Sequence, residues 1–147
     1  MGVSYTLVNF QDRYLRHISW EGFVSLFEDT SLFKQDATFV ERSAGLAAVK
    51  LQAIQNDEFV NRWLTMRDDG RAVFVQNELN AAAILILNSA LSVPGLRLIQ
   101  FFHSGRILRH RGFELWWDAE EEGNSFLLDS TFIVRTALVQ ELLSSDV

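Results

Sequence analysis

Arg97, Arg106, Arg109 and Arg111 stand between Pro94 and Gly112 with no acidic residue among them, and His103 and His110 add two titratable rings. Guanidinium groups grip phosphates and carboxylates through forked, charge-assisted hydrogen bonds, so these four arginines form a candidate anion-binding set. The stretch that follows, Phe113 to Asp129, carries Glu114, Asp118, Glu120, Glu121, Glu122 and Asp129 and no basic residue. Opposite blocks in adjacent strands can instead neutralise each other, at roughly 0.2–1 kcal/mol per exposed pair. Phe101, Phe102 and Trp116 offer rings on which bases stack. Against nucleic acid stand a net charge of −6 and the lack of a helix-turn-helix or ribonucleoprotein signature.

Other chemistries find less support. His17, His103 and His110 show no zinc spacing such as H-x-x-x-H, and each reads as an ordinary solvent-facing or hydrogen-bonded ring. With zero Cys there is no thiolate nucleophile or ligand. No nucleophile elbow, Walker loop or dinucleotide fingerprint occurs. Glu78 is the best candidate for a raised, buried acid, although an acid near a helix start interacts well with the dipole. Asp118, Glu120, Glu122, Gly123 and Asp129 match the spacing of a calcium loop, but the longer Glu side chains and the Asp at the last position fit it poorly. An acidic hairpin tip explains the same residues. The expectation is therefore no catalytic residue, no metal and no cofactor.

The elements that must position these groups come from 147 residues, 48% hydrophobic, with a single Pro. That is enough for one domain, 1–147, with a sizeable core. Met1-Gly2-Val3-Ser4-Tyr5-Thr6 matches a myristoylation template, but no basic cluster follows it. The longest apolar run, Ala81–Leu87, is far short of the ~20 residues of a membrane span. With no signal-like start, a cytoplasmic protein is expected.

No internal repeat is evident at this stage. Residues 3–10 are β-prone. Helices are expected over Trp20–Glu28, over 37–55, and from Asp57 to the Asp68-Asp69-Gly70 stop. Ala72, Val75, Leu79, Ala83, Ile86, Ala90 and Val93 recur at helical spacing and predict a central apolar helix, with Leu79, Ala83, Ile86 and Ala90 nearly fully buried. After Pro94 the pattern predicts strands at 96–103, Phe113–Asp118 and Phe126–Val134, with a turn at Glu121–Ser125. A short helix is expected over Thr136–Ser144. The layout is α+β, with helices packed on an antiparallel meander; the rival is all-α.

In a strand over 113–118, odd positions are apolar, which sends Trp117 inward and leaves Trp116 on the polar face. A Trp exposed among acids, flanked by Arg109 and Arg111, reads as a partner-binding surface. The first expectation is thus a non-enzymatic protein-interaction module, an adaptor, inhibitor, chaperone or immunity-type protein, binding another protein or itself as a homodimer. The alternatives are a nucleic-acid or phosphate binder using Arg97–Arg111, and a small enzyme with a buried acid/base pair.

Overall fold

The computed structural model describes residues 2–45, 48–54, 62–76, 85–90, 93 and 95–139. Short strands dominate: β1 (Gly2–Leu7), β2 (Arg13–Ile18), β3 (Glu21–Leu26), β4 (Phe39–Gly45), β5 (Ala48–Ala53), β6 (Trp63–Met66), β7 (Ala72–Val75), β8 (Leu85–Ser89), β9 (Leu96–Phe101), β10 (Ile107–Arg111), β11 (Glu114–Asp118) and β12 (Phe132–Thr136). Two short helices, α1 (Ser31–Asp36) and α2 (Asn124–Asp129), precede β4 and β12.

A set of four strands recurs three times. The outer strands of each set pair antiparallel in a ring, β1–β4–β5–β8–β9–β12 and back to β1. The ring closes a barrel and so removes its edges. The inner strands form the hairpins β2–β3, β6–β7 and β10–β11. Their second strands meet one another: Glu21 pairs with Val73, Glu114 with Phe23, and Arg71 bridges to Trp116. The result is a trefoil-like β fold in which three hairpins cap one end of a barrel. Tyr5, Leu7, Phe39, Leu51, Leu85, Ile99 and Phe132 fill the barrel, and Leu15, Val24, Leu64, Leu108, Leu115 and Trp117 fill the cap.

This architecture overturns the α+β expectation and the all-α rival. Trp20–Glu28 holds β3 rather than a helix, 37–55 holds β4 and β5, and Trp63 and Leu64 lie in β6. The segment expected as a central helix contains β7 and β8; Ile86 is half-buried and Ala90 buried, while Leu79, Ala83 and Glu78 lie outside the described residues. The reason is physical. A helical step of three or four also arises when two short strands and their connections carry inward residues at alternate positions, and Val73, Val75 and Ile86 are β-branched and prefer the pleat. Strands at 96–101 and 114–118 are as expected, and Trp117 is fully buried with Trp116 half-buried. Phe126–Val134 divides between α2 and β12. Residues 137–139 are not helical, and the rest of the expected C-terminal helix lies outside the described residues.

At the centre of the cap, β3, β7 and β11 each contribute one inward residue, Gly22, Ala72 and Leu115. A Cβ at Gly22 would stand 3.0 Å from Leu115 Cδ1, 3.1 Å from its Cβ and 3.4 Å from the Ala72 Cβ. Beside them Arg71 lies between two acids, 3.9 Å from Glu21 and 3.8 Å from Glu114, and donates to the Gly22 carbonyl at 2.9 Å. We expect Gly22→Val to cost roughly 1–3 kcal/mol, as overpacking of a filled core does. Chemical denaturation checks this, and wild-type stability in the variant would show that the cap centre has slack.

Candidate functional site

The alternation that buries Leu15 in β2 also buries the residue two places on, His17. In β10 the same parity buries Leu108 and His110. The preceding residues, Arg16 and Arg109, face the other way and reach the last residue of a short helix. Arg16 Nη2 lies 2.6 Å from Asp36 Oδ2, at the end of α1. Arg109 Nη2 lies 2.9 Å from Asp129 Oδ2, at the end of α2. Each guanidinium also lies over a helix phenylalanine, Phe33 at 4.8 Å and Phe126 at 5.1 Å. Two residues past each Asp, a threonine hydroxyl donates back to the helix, Thr38 to Lys34 O at 2.7 Å and Thr131 to Leu127 O at 2.6 Å. That bond satisfies a carbonyl in the last turn of the helix.

The two clusters are copies. Arg16, His17, Phe33, Asp36, Thr38 and Phe39 recur as Arg109, His110, Phe126, Asp129, Thr131 and Phe132, each pair 93 positions apart. The middle set of strands has Thr65 and Met66 after Leu64, where the first has Arg16 and His17 after Leu15. The expectation of no internal repeat is therefore corrected. The sequence carries the signal openly, as R-x-L-R-H at 13–17 and 106–110 and D-x-T-F at 36–39 and 129–132.

The turns next to the histidines are copied as well. Ser19 and Trp20 have φ of 50° and 65°, and Gly112 and Phe113 have 57° and 64°. A type I′ two-residue hairpin loop takes positive φ at both positions, which matches the strand twist. Holding Trp20 and Phe113 left-handed lays their rings on the buried imidazoles. His17 stacks on Trp20 at 4.3 Å, and His110 on Phe113 at 5.7 Å.

Burial disfavours the charged form of both imidazoles. Burial pushes His17 down to about 4, and the Arg16 and Arg62 charges push the same way. Asp36 is engaged by Arg16 and stands 3.9 Å from His17 Nε2, so it does not offset that. Burial raises the Asp36 carboxyl, against the pull of Arg16. Burial likewise lowers His110, with Arg109 and Arg13 adding to it and Asp129 opposing. His110 Nε2 lies 3.2 Å from Asp129 Oδ1 without hydrogen-bond geometry. His17 Nε2, His110 Nε2, Arg16 Nε and Arg109 Nε are all buried with no hydrogen-bond partner.

The surroundings of the clusters differ. A cleft of about 250 Å³ opens at the first, lined by Arg16, His17, Ile18, Ser19, Trp20, Leu32 and Asp36. At the second, the β1–β2 loop comes in from the first repeat: Asn9 donates to Asp129 at 3.2 Å, and Phe10 meets His110 edge-on at 5.7 Å.

Of the arginines singled out in the sequence, only Arg109 belongs to a cluster. Besides Asp129 it faces Glu121 at 3.5 Å and Asp118 at 3.8 Å. Arg111 turns to Asp118 at 3.0 Å, Arg106 donates to the Trp117 carbonyl at 3.3 Å, and Arg97 lies on barrel strand β9. Two of the four arginines, Arg109 and Arg111, thus pair with the acidic block. Trp116 has Arg111 over its ring at 4.4 Å and donates to Glu114 at 3.2 Å. Asp118 and Asp129 of the calcium-like loop both face arginine, and among the described residues no group of three or more His, Asp or Glu is placed to hold a metal. Sequence reasoning missed Arg16, His17 and Asp36 as a unit.

Residues 1–84 match the family model of the alpha-L-arabinofuranosidase B (AbfB) domain. The chain belongs to the AbfB family. This membership overturns the expected protein-interaction adaptor. The model ends within the middle repeat, yet the third repeat restores the cluster seen in the first. Solved structures share the fold. An arabinofuranosidase complexed with arabinofuranosyl-α-1,2-xylobiose superposes with a TM-score of 0.81 at 15% identity, over 95% of this chain and 31% of that one. SeviL bound to asialo-GM1 saccharide gives 0.69 at 9% identity, over 92% and 97% of the two chains. The designed three-fold symmetric protein ThreeFoil gives 0.67 at 12%, over 91% and 97%. The AbfB chain spans about a third of the length of the arabinofuranosidase. No curated protein sequence matches.

Two outcomes follow from the site. Ser19→Gly relieves a left-handed serine, as Gly112 does in the third repeat, and should add up to about 1 kcal/mol of stability by thermal melting. For His17, the unfolded ring takes a proton near its ordinary 6.5 and the folded ring only near 4. The folded state therefore loses stability as pH falls from about 6.5 to about 4, by about 3 kcal/mol for that shift. His110 acts in the same direction, and the raised Asp36 opposes them at the acid end. In His17→Gln, denaturation across this window should show a shallower loss than wild type.

Proposed function

We propose that this AbfB chain is a carbohydrate-binding module whose two Asp–His–Arg clusters each hold one sugar residue, arabinofuranosyl groups foremost. The observation that carries the reading is the duplicated cluster with its buried, unpartnered imidazole and guanidinium nitrogens. A buried polar group without a partner costs about 1–3 kcal/mol, and its persistence in two copies calls for a ligand that supplies the missing bonds. Sugar hydroxyls suit the set. A carboxylate accepts hydrogen bonds from them, a guanidinium donates to their oxygens, and a neutral imidazole presents one donor and one acceptor to a group that is itself both. Burial keeps His17 in that neutral form. The first cleft, about 250 Å³, falls below the roughly 300–1,000 Å³ of drug-sized sites and suits a single ring. The names of the family and of the structurally similar arabinofuranosidase supply the choice of sugar.

Asp36→Asn and Asp129→Asn keep shape and remove charge. Each should weaken binding of arabinofuranosyl-α-1,2-xylobiose at its own site by roughly ten- to a hundredfold, as loss of a charged hydrogen bond does. The double variant should show no calorimetric binding while still melting cooperatively. Undiminished binding by the folded double variant would remove the assignment.

A further inference from the structure

A second cleft, about 540 Å³, lies beside the first and shares with it the turn residues Ser19 and Trp20; Glu21, Thr65, Met66, Arg67, Asp68, Val73, Phe74 and Val75 complete its lining. We propose that this cleft extends the Asp36 pocket and receives the sugar units to which the Asp36-bound residue is linked. The inference rests on the carbohydrate reading above and adds to it that the ligand is an oligosaccharide or a substituted chain, not a lone sugar.

Three observations support it. First, the two clefts share one rigid turn in their linings: the left-handed Ser19–Trp20 pair, fixed by the imidazole of His17 and by Arg62, whose guanidinium lies 4.3 Å from the Trp20 ring. Second, the cleft is not another copy of the Asp–His–Arg cluster. Thr65 and Met66 occupy the positions of Arg16 and His17, and Met66 packs against the core. A different chemistry beside the first pocket fits a different part of one ligand. Third, its walls match a sugar ring, which has an apolar C–H face and a hydroxylated rim. Met66, Val73 and Val75 give the apolar side, and Arg67, Glu21 and Asp68 the polar side. Arg67 is held in place by Glu21 at 2.7 Å and Asp69 at 2.8 Å, and is still about half exposed. It therefore offers oriented donors at little additional ordering cost.

The experiment compares methyl α-L-arabinofuranoside with arabinofuranosyl-α-1,2-xylobiose by isothermal titration, on wild type and on Arg67→Ala. To isolate the first pocket, both proteins carry Asp129→Asn. The larger ligand should bind roughly tenfold more tightly than the methyl glycoside, the worth of about one net hydrogen bond. Arg67→Ala should bring the two affinities within about threefold by weakening only the larger ligand, with melting unchanged to within a few degrees. Equal affinities in the parent protein, or a ratio untouched by Arg67→Ala, would overturn the extension and leave the sugar pocket standing. If neither ligand binds, the carbohydrate reading falls and the extension with it.

Discussion

The pairing of β1 with β12 closes the barrel, and the rest of the structure leans on that seam. Five residue pairs run along it, from Val3 with Thr136 to Leu7 with Phe132. Arg135 donates across the seam to Thr6, and the Leu138 backbone donates to Ser4. Once closed, the ring sets the β1–β2 loop against the third repeat, so that Asn9 reaches Asp129 over a sequence separation of 120 residues. The second cluster is thus complete only when both ends of the described chain are docked. The first cluster is local to its own repeat, whereas the third-repeat cluster meets Asn9 and Phe10 across the closed barrel; the long-range pairing implies slow folding relative to a helical protein of this size.

Copied polar groups do not make copied sites. The Asp, His and Arg of the first and third repeats are identical, but the rims differ. Ile18 and Leu32, both strongly exposed, flank the first cleft, and Arg111 and Ser125 stand at the matching positions of the third repeat. Phe10 and Asn9 crowd the third-repeat cluster. The Asp, His and Arg of the two clusters are held constant, and the residues around them vary.

The strand at 114–118 was legible because Leu115 and Trp117 alternate cleanly with Glu114 and Trp116, and the one at 96–101 because both of its alternating sets carry large apolar residues, as in a strand covered on two faces. The strands between Ala72 and Ser89 were not. Their apolar residues belong to a cap strand and a barrel strand, and the combined spacing imitates a helix that neither forms. β3 misleads for a similar reason: Phe23, Leu26 and Phe27 share a helical face on paper, whereas in the fold Val24 is the buried residue and Leu26 is exposed. Charge density drew attention to Arg97–Arg111, where Arg109 and Arg111 pair with the neighbouring acids and Arg106 ends on a backbone carbonyl. The site itself is written as a pair of short motifs at long separation, each unremarkable alone. Only comparison of the chain with itself brings out Arg16, His17 and Asp36 beside Arg109, His110 and Asp129. No window-based reading of hydrophobicity contains that information.

The centre of the cap ties the three repeats to one another through size. Gly22, Ala72 and Leu115 share one volume, and the contacts at Gly22 leave no room for a second large side chain there. One glycine, one alanine and one leucine fill it together, so the side chain that each repeat can place at the axis is set by the other two. A larger residue at Gly22 would therefore be accommodated only with a smaller one at Leu115 or Ala72, and the three positions behave in packing as a single composite residue.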